Sequence, residues 1–165
     1  LSIRRQRQMC IRDSYKAQEA TQTKLPLEGT VLISVSNRDK PEVVEVAADF
    51  AKAGFKIIAS DHTCSLLKEN GIEAEKINKL QEGRPNMLDV ITNGKVDMIV
   101  NTPSGKESKN DDSYLRKAAI KKKVPYMTTM AAAKAAANGI LAVKKHGSKE
   151  VKSLQEIHGE ITDKE

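Results

Sequence analysis

Residues 31–60 read VLISVSNRDKPEVVEVAADFAKAGFKIIAS, and the fold follows from how this stretch changes its period. Val31–Val35 is a short apolar, β-branched run, the pattern of a parallel strand buried on both faces. Ser36-Asn-Arg-Asp39 is polar and turn-rich. Asp39 with Glu42 forms a D-x-x-E helix start signal and reads as a cap. Val43, Val46, Ala47, Phe50 and Ala51 then recur at helical spacing until Gly54. Phe55–Ala59 is apolar again and predicts a second strand, which completes a strand–helix–strand unit.

Outward from this unit the alternation continues. Thr63–Asn70 predicts a short helix closed by Gly71, and Ile72–Ile77 a weaker third strand. The loop Asn78–Pro85 has no apolar periodicity. A short helix at Met87–Thr92, a turn at Asn93-Gly94 and a fourth strand at Val96–Val100 follow. Asn101–Gly105 is a turn-rich loop. A helix from Asp112 to Lys123 places Leu115, Ala118 and Ala119 inward, with Ile120 at the margin. Val124–Met127 is the fifth strand. Thr129 caps an Ala-rich helix from Met130 to Lys145, in which Asn138-Gly139 is a soft spot, and Lys152–Ile161 reads as a last helix. Strands alternating with helices predict an α/β fold whose parallel sheet is covered on both faces through right-handed crossovers.

The whole chain has 165 residues, a length suited to one domain with one real core. With 39% hydrophobic and 30% charged residues it is too apolar for a disordered chain and too charged for a membrane protein. Cys10 and Cys64 match neither a disulfide framework nor a C-x-x-C pattern, which points to a reducing cytoplasmic setting. Three scattered His and two Cys argue against a structural zinc site, and no metal site is expected. The net charge is +6, but residues 1–14, LSIRRQRQMCIRDS, hold four Arg against one Asp and so account for half of it. That segment lacks periodicity and reads as foreign to the domain, a scar at the end of an assembled fragment. Residues 15–28 read as a polar connector ending at Pro26, so that 1–24 is linker and tail of a preceding domain, 25–161 the domain proper, and 162–165 a tail. Residues 1–24 are expected to add nothing to the fold. Only five aromatic residues are available for stacking, so nucleic acid is disfavoured as a partner. A small anionic ligand fits the charge as well.

Ligands of open α/β sheets gather beyond the carboxyl ends of the strands. The loops there carry Ser34, Ser36, Lys40, Ser60, Thr63, Lys79, Arg84, Asn101, Thr102, Ser104, Thr128 and Thr129. Thr63 sits at a helix start, where free N–H groups attract an anion, and Lys40 and Lys79 can supply point charges to a phosphate. Each residue also has a plain structural role open to it: Thr63 and Thr129 as caps, Ser34 in a turn, the lysines as solvated charges. Catalysis is poorly supplied. There is no G-x-G-x-x-G or Walker lysine motif. The acids expected at the edge are Asp39, Asp61 and Glu82, without a positioned partner. Cys64, in the segment CSLL, reads as buried rather than nucleophilic.

The segment from Leu25 to Ile161 resembles the C-terminal, methylglyoxal-synthase-like regulatory domain of the large subunit of carbamoyl-phosphate synthetase. The resemblance rests on LISVSNRDK, AGFKIIASDHT, INKLQEGRPNMLDVITNG, VDMIVNTPSG, YLRKAAIKKKVPYMTT and SLQEIHGEI, in order. It implies a Rossmann-like three-layer sandwich with a five-stranded parallel sheet and a domain with no catalytic residues of its own. UMP or IMP is the implied effector, in an enzyme serving arginine and pyrimidine biosynthesis. The effector-binding set it implies is Ser34, Lys40, Ser60, Thr63, Lys79, Asn101, Thr102, Thr128 and Thr129. No cofactor is implied in this domain, and ATP and Mg belong to other domains. The implied partners are the ATP-using domains of a longer parent chain, whose end the connector YKAQEATQTKLP resembles, and a glutaminase small subunit. A homo-oligomer is compatible with it, and neither nucleic acid nor membrane is implied. The chain departs from the family's A-T-x-G-T loop at Asp61-His62, where His62 removes close backbone approach, and at Pro103, where some members carry a hydroxyl. The alternatives are methylglyoxal synthase, whose Gly-Gly-Asp loop is replaced by Gly83-Arg84-Pro85; an IMP-cyclohydrolase-like enzyme, whose Lys-Thr-Leu-His is replaced by Val90-Ile-Thr; and a docking domain with a decayed nucleotide site.

Overall fold

A computed structural model describes residues 15, 17, 24–102 and 108–146, with side chains except at 108–110 and 146. The elements are β1 (Thr30–Ser34), a 3-10 turn (Asn37–Asp39), α1 (Lys40–Lys52), β2 (Lys56–Ser60), α2 (Asp61–Glu69), β3 (Glu75–Ile77), α3 (Met87–Thr92), β4 (Met98–Asn101), α4 (Ser108–Lys122), β5 (Tyr126–Met127) and α5 (Met130–His146). The helix expected at Lys152–Ile161, Cys10, Pro103, Ser104 and the 162–165 tail lie outside the described residues.

All pairings are parallel, in the order β3-β2-β1-β4-β5. Strand residues of alternating parity feed two separate cores, as a pleat of period two requires. Val31, Ile33, Ile57, Ala59, Met98 and Val100 join α1, α2 and α5 on one face. Leu32, Ile58, Ile77 and Ile99 join α3 and α4 on the other. The chain moves outward through β2 and β3 with helices on the first face, then returns through β4 and β5 with helices on the second. A constant crossover hand requires that exchange of faces. The five-stranded parallel three-layer sandwich expected from the sequence is therefore present.

Details differ from the sequence reading: α4 begins at Ser108 rather than Asp112, and β5 is reduced to Tyr126–Met127. β3 is confined to Glu75–Ile77. Ile120 is 69% exposed, whereas Leu115 and Ala119 are buried. Tyr15 is buried in the larger core, so the expectation that residues 1–24 add nothing fails at this residue. Its seat is Gly139: a Cβ built there would stand 3.3 Å from the Tyr15 Cβ. The residue read as a soft spot in α5 is where the helix lets an aromatic side chain approach its backbone.

Ahead of β1, Gly29 takes φ +123°, and the next N–H, of Thr30, donates to Asp97 Oδ2 at 2.7 Å. A Cβ at Gly29 would collide with that carboxylate. Gly29 and Asp97 together set where β1 begins beside β4, and so where both strands end.

Candidate functional site

The strand order turns at β1, with β2 on one side and β4 on the other, and loops leaving such a point diverge and leave a crevice. Ser34 and Asn101, the last residues of β1 and β4, are register partners. Thr102 N–H donates to the Ser34 carbonyl at 3.0 Å. A cavity of about 70 Å³ opens there, with Ser34, Lys79, Asn101, Thr102, Asp111 and Asp112 among its lining residues. That is the room of one chemical group, well under the roughly 300 Å³ of a whole small-molecule pocket. A larger, open hollow of about 1220 Å³, lined by Phe55, Lys56, Gly71 and Lys95 among others, lies at the opposite, amino-terminal edge. The strand-end rule and the helix starts both favour the smaller cavity as the site.

The β1–α1 loop is tied to the β4 end. Ser36 N–H donates to Thr102 Oγ1 at 2.9 Å, and Ser36 Oγ donates to Asp39 Oδ2 at 2.8 Å. Hydrogen bonds from the Thr102 and Ser36 hydroxyls hold the Asp39 carboxyl below its usual range, against a smaller opposing effect of burial. Asp39 was expected to cap α1. It stands at the cap position but its side chain makes no cap bond, because the two hydroxyls engage it instead. Lys40 is the first residue of α1 and half-buried.

At the end of β2 the backbone of Ser60 is extended and α2 starts at Asp61, earlier than expected. Thr63 is thus neither a cap nor at the first position. It is buried, and its hydroxyl accepts from Ser60 Oγ at 3.1 Å. Asp61, an alternative general base, pairs with Lys76 at 2.7 Å, a bond that lowers its pKa and raises that of the lysine. His62 is exposed at this helix start. Cys64 is buried as expected and donates to the Ala74 carbonyl at 3.4 Å.

The loop 78–85 folds back on itself. Lys79 N–H donates to Glu82 Oε2 at 2.9 Å, which commits the other candidate base. Met87 N–H donates to the Asn78 carbonyl at 3.0 Å, and Asn86 with Asp89 forms a reciprocal capping box on α3. Arg84–Pro85 is a cis peptide. The loop thus carries the exposed Lys79 to the cavity.

Four of the nine expected effector residues, Ser34, Lys79, Asn101 and Thr102, line the cavity together. Lys40, Ser60, Thr63, Thr128 and Thr129 do not. Thr129 serves as the expected cap, its Oγ1 accepting from Ala132 N–H at 3.2 Å, and Thr128 is exposed. The acids read as sparse at this edge are not: Asp111 and Asp112 also line the cavity. Their signal was available, since Leu115 was expected inward and residues three and four positions before it share its helix face.

Asp112 is the hub of a network. Asn101 Nδ2 donates to Asp112 Oδ1 at 2.9 Å and to Tyr126 OH at 2.7 Å. Tyr126 OH donates in turn to Asp112 Oδ1, and Arg116 donates to Asp112 Oδ2 at 2.9 Å while its guanidinium lies 5.7 Å from the Tyr126 ring centre. Burial, then the bond to Asp112, pushes the Tyr126 phenol far above its ordinary value. Among the described residues no group of three or more His, Cys, Asp or Glu is arranged to hold a metal ion.

The model of the MGS-like domain family matches residues 42–128. The chain is 48% identical over 153 residues to a carbamoyl phosphate synthase large chain, C-terminal section, of Methanopyrus kandleri, covering 92% of this chain and 28% of that protein. It is 45% identical to the corresponding section of Aquifex aeolicus, over 87% of this chain and 28% of that one. To the large chain of Archaeoglobus fulgidus it is 49% identical, over 88% of this chain and 14% of that one. The chain therefore spans under a third of the length of these relatives. A solved methylglyoxal synthase of Elizabethkingia anophelis shares the fold at a TM-score of 0.55 and 15% identity, over 78% of this chain and 89% of that one.

Proposed function

The chain belongs to the MGS-like domain family, and from that premise we propose that it is an allosteric nucleotide-binding domain. Its parent is the large chain of carbamoyl-phosphate synthase, as the names of its relatives suggest. UMP or IMP is the effector. The observation that carries the reading is the pairing of Ser34 with Asn101 at the turning point of the strand order, with Lys79 brought alongside. Lys79 and Lys40 supply positive charge to the phosphate, and the N–H groups at the start of α2, with Thr63, receive it. Ser34, Asn101 and Thr102 hold the uncharged part of the nucleotide, while Ser60, Thr128 and Thr129 shape the rim.

The mechanism is linkage. A nucleotide that binds one global state of the synthase better than another shifts its activity by that difference in affinity and no more. The domain does no chemistry of its own. Asp61 and Glu82 are committed to Lys76 and to the Lys79 backbone. The ATP-using domains, their Mg and the glutaminase subunit belong to the cytoplasmic parent enzyme.

A ligand that binds only the folded state raises the unfolding midpoint. UMP or IMP at millimolar concentration is expected to do so, and a midpoint indifferent to both would leave a docking domain with a decayed site. Methylglyoxal formed from dihydroxyacetone phosphate, and lost on Asp61→Asn, would make the chain an enzyme instead.

A further inference from the structure

We propose that Asp112 and Tyr126 are positioning residues that lock the Asn101 side-chain amide in one orientation, so that it meets the ligand only with its carbonyl oxygen. The inference rests on the nucleotide reading for the identity of the ligand, but not for the lock itself. A side-chain amide has two hydrogens on nitrogen and lone pairs on oxygen. Both hydrogens of Asn101 have acceptors, one in Asp112 Oδ1 at 2.9 Å and one in Tyr126 OH at 2.7 Å. The flipped amide would turn its oxygen onto Asp112, and a carboxylate has no hydrogen to give. The phenol cannot rescue the flip, because its one hydrogen already goes to Asp112.

Every other bond in the network holds this sense. Arg116 occupies the second oxygen of Asp112 and lies over the Tyr126 ring. Tyr126 stays protonated throughout the working pH range, since burial and Asp112 raise its pKa. Asn101 lines the cavity and is itself buried. Its remaining atom, Oδ1, accepts only, so the ligand group that meets it is a donor, a hydroxyl or an N–H. A phosphate oxygen at this point would meet oxygen against oxygen. The lock therefore gives the site polarity: the anionic end belongs near Lys79 and the donor-bearing end at β4.

The test uses the 15N-labelled full chain. In the ligand-free protein the Asn101 side-chain amide resonances are expected to be protected from solvent exchange. Tyr126→Phe, which removes one acceptor, should lose that protection while the unfolding transition remains cooperative. Asp112→Ala, which removes the other acceptor, should lose it as well. UMP affinity should fall roughly tenfold in Tyr126→Phe, the size of one neutral hydrogen bond. Unprotected Asn101 hydrogens in the wild type would overturn the lock. Protection that survives both substitutions would overturn it too. UMP bound equally by wild type and Tyr126→Phe would overturn its role in recognition. A wild type with a protected amide and no affinity for UMP or IMP would contradict the nucleotide reading and leave the lock standing.

Discussion

The hydroxyl of Ser60 donates to the hydroxyl of Thr63 across 3.1 Å, with both side chains buried where β2 runs into α2. The pair links the end of β2 to the first turn of α2 at the carboxyl edge of the sheet. A hydroxyl that accepts still has its own hydrogen to donate, so Thr63 keeps a donor in the first turn of α2, where Ser60 makes no side-chain cap bond.

Thr63→Val keeps the shape and removes the acceptor, leaving a buried donor unpaired. Such a loss costs about 1–3 kcal/mol. Urea unfolding should show a midpoint shift of that size. The double variant Ser60→Ala/Thr63→Val removes both partners and should regain part of it. Full additivity would mean that the two hydroxyls do not depend on each other.

Tyr15 belongs to the core although the residues around it read as a connector. Tyr15→Ala should destabilise the domain by about 3 kcal/mol, the scale of deleting a buried aromatic ring. Chemical denaturation measures this directly. An unchanged midpoint would place Tyr15 outside the cooperative unit.

The contrast between these residues shows what the sequence made legible. α1 could be read because its apolar residues recur at helical spacing until Gly54, and β1, β2 and β4 because their runs are apolar on both faces. Tyr15 could not, because its burial depends on Gly139, far later in the chain, leaving room for it. The Asp39 cap signal misled because Ser36 and Thr102 compete for the carboxylate, and Thr102 arrives from β4. Of the site, motif matching found the residues that line the cavity on β1 and β4. It missed Asp112, although its spacing to the inward Leu115 offered a signal, and Tyr126, which looks like an ordinary strand residue until its hydrogen bonds are known.

Asp39 should leave a mark on acid stability. Its folded-state pKa is lowered by the Thr102 and Ser36 hydroxyls, whereas an unfolded aspartate titrates at about 3.9. Below that value the unfolded chain takes up a proton that the folded one refuses, so the stabilisation is complete above it and is lost as pH falls through the folded pKa. Unfolding midpoints measured from pH 5 to pH 3 should fall more steeply for wild type than for Asp39→Asn. Parallel slopes would mean that the two hydroxyls do not favour the ionised carboxyl.

The central claim is that the carboxyl edge of the sheet holds a nucleotide by its phosphate. Calorimetric titration of UMP and of uridine into wild type, Lys79→Ala and Lys122→Ala tests it most directly. A charge-assisted hydrogen bond contributes about 1.5–3 kcal/mol, so Lys79→Ala should weaken UMP by roughly ten- to a hundredfold. Uridine should bind far more weakly and be indifferent to Lys79. Lys122→Ala, an exposed charge in the last turn of α4, should bind UMP as wild type does. UMP affinity equal to that of uridine, or untouched by Lys79→Ala, would contradict the claim.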